Sequence, residues 1–157
     1  MAELRPILLV EDSLNDVELT LAALERSRLL NPVLVARDGV EALDHLLRRK
    51  NTPGEGAAQL PAVVLLDIKL PRVDGLEVLE SIRREPRTRH IPVVMLTSSR
   101  EEQDLIRSYG LGVNAFVVKP VGHREFFQAI RDIGAFWAVL NQPFPGLPGG
   151  QEQGDRE

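Results

Sequence analysis

The sequence predicts one α/β domain built on a doubly wound parallel sheet with helices on both faces. Three observations carry that prediction. Five short apolar runs recur along the chain, each is followed by a longer amphipathic stretch, and Pro6, Pro32, Pro61 and Pro92 punctuate four of the entries. The runs occupy residues 7–10, 33–35, 63–66, 93–96 and 115–118. They are continuous rather than alternating, as expected for strands covered on both faces. Their shortness and β-branched content favour strand over buried helix.

Each intervening stretch reads as a helix with its own start or stop signal. Val17, Leu21 and Leu24 share one face after Asp12 and Ser13, which can cap the first turn. Val40, Leu43 and Leu47 repeat the pattern after Asp38-Gly39. Leu76, Leu79, Ile82 and Arg83 follow Asp74-Gly75, and Pro86 ends that helix. Leu105, Ile106 and Tyr109 mark a fourth helix that stops near Gly110 and Gly112. A fifth is expected from about His123 towards Leu140. Residues 1–141 thus form the domain, with an extended last helix, and the Pro- and Gly-rich residues 142–157 are expected to be a mobile tail. Residues 50–59, with Pro53, Gly54 and Gly56, read as a surface loop.

Composition narrows the class of function. At 43% hydrophobic the chain of 157 residues can bury a core. A net charge of -4 argues against a surface made for nucleic-acid phosphates. The absence of cysteine excludes disulfides and thiol chemistry and suits a reducing cytoplasm. No apolar run is long enough for a signal peptide or a membrane span.

In a doubly wound sheet, ligands collect at the C-terminal ends of the strands, near the point where strand order reverses. The residues there are Glu11-Asp12, Asp67, Thr97-Ser98 and Lys119-Pro120. Three carboxylates in one place repel one another unless a cation sits among them. Mg²⁺ suits such a site, because it takes few protein carboxylates and keeps positions for water and phosphate oxygens. With Mg²⁺ present an aspartate can attack a phosphoryl donor in line. Lys119 would then neutralise the phosphoryl oxygens, and the Thr97 hydroxyl would donate to one of them. His45, His90 and His123 lack ligand spacing and read as surface residues.

Residues Leu8-Leu9-Val10-Glu11-Asp12, Leu65-Leu66-Asp67 with Leu70-Pro71 and Asp74-Gly75, Leu96-Thr97-Ser98 and Val118-Lys119-Pro120 resemble the receiver domain of bacterial response regulators. The resemblance spans about residues 5–135. It implies a flavodoxin-like (βα)5 fold with strand order 2-1-3-4-5. It also implies that a histidine kinase phosphorylates Asp67, with Mg²⁺ held by Glu11, Asp12, Asp67 and the Lys69 backbone carbonyl. Lys119 and Pro120 would be joined by a cis peptide bond. Thr97 and Phe116 would form a switch pair, Thr97 moving to the phosphoryl group and Phe116 turning inward behind it. Lys69 and Ser99 stand where side chains commonly tune aspartyl-phosphate lifetime in this family.

The stretches 11–20 and 36–43, with Phe136-Trp137 and 140–143, are similar to the stand-alone regulators that partner bacterial and cyanobacterial phytochromes. That likeness implies a phytochrome-type kinase as partner, or relay to a histidine phosphotransfer protein, and a homodimer through the last helix. Phe126, Ile130, Ile133, Trp137 and Leu140 form one face of that helix; Phe127 lies on a neighbouring stripe and Phe136 and Val139 on the opposite flank, so Phe127, Phe136 and Val139 are the candidate dimer contacts. The residues left after the fold closes are too few for a DNA-binding or catalytic output domain, so the output is expected through protein contact.

Other classes fit the residues less well. A haloacid-dehalogenase-type phosphatase would need a second aspartate two residues after Asp67, where Lys69 stands. A flavin-binding domain would need a phosphate loop after strand one, where Glu11 and Asp12 repel anions. A degenerate receiver that only binds partners would be expected to lack an acid of the pair, the acceptor or the lysine, and all are present.

Overall fold

The computed structural model describes residues 5–26, 30–47, 60–119 and 124–140, the side chains of 134–140 excepted. Five strands and five helices alternate: β1 (Ile7–Val10), α1 (Leu14–Arg26), β2 (Val33–Ala36), α2 (Gly39–Leu47), β3 (Val63–Asp67), α3 (Gly75–Arg84), β4 (Val93–Thr97), α4 (Arg100–Ser108), β5 (Ala115–Val118) and α5 (Arg124–Leu140). All neighbouring strands pair in parallel, in the order β2-β1-β3-β4-β5. The doubly wound fold is as the sequence predicts, and the strand order is the one implied by the resemblance to receiver domains. The loop expected over 50–59 and the tail over 142–157 lie outside the described residues.

The continuous apolar runs become strands because the sheet is covered on both faces. Leu8, Val10, Val64, Leu66, Val93 and Met95 pack beneath α2, α3 and α4. Ile7, Leu9, Val63, Leu65, Val94 and Leu96 pack against α1 and α5. Side chains that alternate along each strand thus feed two cores, and β1, β3 and β4 are buried throughout. The edge strands are partly exposed, with Leu34 and Val118 facing outward.

Helix starts follow the cap chemistry. The Ser13 hydroxyl accepts from the Asp16 amide at 3.2 Å, and Asp74 and Glu77 close a capping box at the start of α3. Gly75 sits so close beneath β3 that an added Cβ would lie 2.6 Å from the Ile68 Cα. Arg83, at the end of α3, donates to the carbonyls of Leu111 (2.8 Å), Ile91 (2.7 Å), Arg89 (3.0 Å) and Gly112 (2.7 Å). It stitches the loops that enter β4 and β5, at the end of the sheet away from the strand C-termini.

Two helical faces differ from the periodic reading. In α2 the fully buried residues are Gly39, Ala42 and Leu46, with Val40, Leu43 and Leu47 half-buried beside them. Gly39 faces inward where it abuts the Val73 backbone, leaving no room for a Cβ. In α4 only Ile106 is buried, while Leu105 and Tyr109 are about half exposed. That helix touches the sheet along a narrow line.

Candidate functional site

The register of the strands decides which side chains meet. Asp67 falls in line with Val63 and Leu65, and Lys119 with Val117, so both point to the α1 side of the sheet. Glu11 follows β1 directly and is 1% exposed; Asp67 is 4% exposed. The Lys119 ammonium lies 3.1 Å from Asp67 Oδ2 and 3.3 Å from Glu11 Oε1. It also lies 3.2 Å from Asp16 Oδ2, in the first turn of α1. The Lys69 amide donates to Asp67 Oδ1 at 3.3 Å, and the Ser13 amide to Glu11 Oε2 at 3.2 Å.

Glu11, Asp12 and Asp67 each offer a carboxylate oxygen, and these lie within 4.8 Å of one another. With Asp16, four carboxylates face one ammonium group. Burial raises the pKa of Glu11 from its ordinary 4.5 to about 7, and repulsion from Asp67 adds to the rise. Burial works against the Lys119 cation, yet the Asp67 and Glu11 carboxylates outweigh it and hold its pKa above the ordinary lysine range. A hard divalent cation fits this donor set, because it would supply the positive charge that one lysine does not.

An open cavity of about 610 Å³ lies over these groups, lined by Glu11, Asp12, Asp16, Asp67, Lys69 and Lys119 together with Ser13, Ile68, Ser98 and Glu102. Four of the five groups expected to meet do so. Thr97 differs: it follows Val93 and Met95 in register, towards α4, and does not line the cavity. It is fully buried, and its hydroxyl has no hydrogen-bond partner. Phe116 points to the same face of the neighbouring strand, since Thr97 pairs with Val118 and side chains two apart share a face. Its ring is half-buried, with the Arg107 guanidinium 4.6 Å from its centroid.

Ser99 caps α4, accepting from the Glu102 amide at 3.1 Å. Lys69 is 78% exposed at the side chain and pairs with Glu102. Phe127 is half-buried on the α1 side, with the Arg26 guanidinium 5.4 Å from its ring. Pro120 lies outside the described residues, as do the side chains of Phe136 and Val139.

Asp16 and Glu102 are the site residues that reading strand ends missed. Both sit in the first turn of a helix that follows a strand, and which way such a turn points depends on where the helix starts. The cap at Ser13 is the one sequence signal that places Asp16 there.

A five-stranded sheet of order 2-1-3-4-5, with acids after β1 and at the end of β3 and a lysine after β5, defines the receiver class of signalling domain. The chain belongs to the response regulator receiver domain family, which it matches over residues 7–131. It is 40% identical over 136 residues to the probable methanogenesis regulatory protein FilR2 of Methanothrix harundinacea, covering 87% of this chain and 85% of that one. It is 38% identical over 134 residues to the response regulator Rcp1 of Synechocystis, covering 83% and 87%. The Mn²⁺-bound structure of Rcp1 superposes with a TM-score of 0.72 at 36% identity, over 90% of this chain and 99% of that one. The structure of the bacteriophytochrome response regulator AtBRR superposes with a TM-score of 0.72 at 64% identity, over 89% of this chain and 99% of that one.

Among the described residues, no helix is long and apolar enough to cross a membrane.

Proposed function

We propose that this receiver accepts a phosphoryl group from a histidine kinase on Asp67 and signals by a shift between two conformations. The observation that carries this is the buried Asp67 carboxylate, bound by Lys119 at 3.1 Å and with an oxygen within 4.8 Å of carboxylate oxygens of Glu11 and Asp12. In the transfer, the P–N bond of a phosphohistidine breaks as an Asp67 oxygen forms the new P–O bond, and the imidazole leaves. Lys119 is positioned to carry charge from the phosphoryl oxygens, and the unpartnered Thr97 hydroxyl can donate to one of them after a local shift. Mg²⁺, held by Glu11, Asp12, Asp67 and the Lys69 carbonyl, would neutralise the carboxylates and align the phosphoryl oxygens. The Mn²⁺-bound form of Rcp1 supports a divalent cation here.

The kinase we assign is of the phytochrome type, on the strength of the 64% identity to AtBRR. That setting is cytoplasmic, and a histidine phosphotransfer protein could take the group onward by the same chemistry. Thr97 and Phe116, on one face of adjacent strands, are the switch pair, and α5 around Phe127 is the surface we assign to self-association. No enzymatic turnover beyond self-phosphorylation and slow autodephosphorylation belongs to this reading.

The test is intact mass after incubation with Mg²⁺ and a small acyl phosphate, or with a phosphorylated phytochrome-type kinase. Wild type should gain one phosphoryl group, and chelation or Asp67→Asn should abolish the gain. Failure with both donors would contradict the proposal.

A further inference from the structure

Lys119 carries only one side of the cavity above Asp67. Another part of the cavity wall is built by Lys69 after β3 and by Ser98 and Glu102 at the start of α4. The Glu102 carboxylate binds three donors on that wall, the Ser98 amide, the Ser98 hydroxyl and the Lys69 ammonium. Its Oε1 accepts from the Ser98 amide at 2.8 Å, and its Oε2 accepts from the Ser98 hydroxyl at 3.3 Å and lies 3.3 Å from Lys69 Nζ. The side chain is 14% exposed. Although burial alone would raise its pKa, the bond from the Ser98 amide and the pairing with Lys69 more than offset this and hold it below the ordinary carboxylate range, so it stays charged.

Lys69 and Glu102 also line an adjoining cavity of about 570 Å³, bounded by Leu70, Pro71, Leu76 and Leu105. The pair is therefore part of the wall between the two cavities, and it ties the β3–α3 loop to α4. A phosphoryl group on Asp67 would bring two negative charges into the first cavity, in front of a third at Glu102. It would also need donors that Lys119, already shared among three carboxylates, does not fully supply.

We propose that Glu102 is an anionic latch that occupies the Ser98 amide and the Lys69 ammonium, holding the β4–α4 segment in its resting position until a phosphoryl group displaces it. The inference rests on the phosphoacceptor reading of Asp67. Glu102 is a positioning residue: it bonds Ser98 and Lys69 and not Asp67. Its release frees both donors and detaches the first turn of α4 from the β3–α3 loop.

The experiment titrates the whole chain, in Mg²⁺, with beryllofluoride as a non-transferring mimic of the phosphoryl group. Glu102→Ala should bind it about tenfold tighter than wild type, since a charge-assisted bond no longer competes. Glu102→Gln keeps an acceptor for Ser98 but loses the ion pair, and should gain about threefold. Glu101→Gln removes the same charge from the same exposed turn and should leave binding unchanged. A folding defect would weaken binding, so it cannot imitate the expected gain. Equal or weaker binding by both Glu102 variants would overturn the latch, and so would a gain in Glu101→Gln matching that in Glu102→Gln. Wild type that fails to bind beryllofluoride at all overturns the phosphoacceptor reading beneath it, whereas wild type that binds alongside unchanged Glu102 variants overturns the latch alone.

Discussion

Glu11 shares a single ammonium group with Asp67 and Asp16 while almost wholly buried, and its raised pKa of about 7 has a consequence for stability. The folded protein holds the Glu11 proton more tightly than the unfolded chain, where the ordinary value of 4.5 applies. Its contribution to stability is therefore fully present below pH 4.5 and is lost as pH rises through about 7. In chelator, thermal melting of wild type should decline across that window, and Glu11→Gln should flatten the decline. Saturating Mg²⁺ should restore melting at pH 7.5 in wild type more than in the variant. A melting temperature that is level with pH in metal-free wild type would contradict the crowding of carboxylates around Lys119. Lys119 is the counterpart residue. Its replacement by Met would leave Glu11 and Asp67 buried without a cation, at a cost of about 3 kcal/mol in urea unfolding at neutral pH.

The α4 helix is the element best suited to move. Ile106 alone anchors it in the core, whereas α3 buries Gly75, Val78, Leu79 and Ile82. Its other ties are Glu102 at one end and Arg107 over the Phe116 ring near the other. Truncating Ile106 to Ala should cost about 3 kcal/mol. Amide exchange should then quicken in α4 while α3, held by Arg83 and its own core face, keeps its protection. Equal acceleration in both helices would mean that α4 is not the weakly held element. Leu105, Ile106 and Tyr109 mark this helix in the sequence, but an apolar pattern shows which residues are apolar, not how far the sheet extends beneath them. At this edge β5 is short and half-exposed, so only Ile106 reaches the core.

Across the whole molecule, the sheet was legible because parallel strands buried on both faces write themselves as unbroken apolar runs, and those runs fall within one residue of β1 to β5. The candidate site was legible for the same reason: Glu11, Asp12, Asp67 and Lys119 follow strand ends, and strand ends converge in a doubly wound sheet. Less legible were contacts that depend on helix phase. Asp16 reaches Lys119 and Glu102 reaches Lys69 only because Ser13 and Ser99 fix where α1 and α4 begin. Arg83 read as part of a helical face, yet its guanidinium turns to four carbonyls of two loops distant in sequence from one another.

The proposed role of Asp67 requires that the phosphoryl group form an acyl phosphate there. Borohydride reduces such a mixed anhydride to an alcohol, converting the aspartate to homoserine, and peptide mass mapping then locates it. After phosphorylation in Mg²⁺, homoserine should appear at position 67 and nowhere else. Homoserine at Asp12 or another acid, or none in protein that has gained phosphoryl mass, would contradict the account.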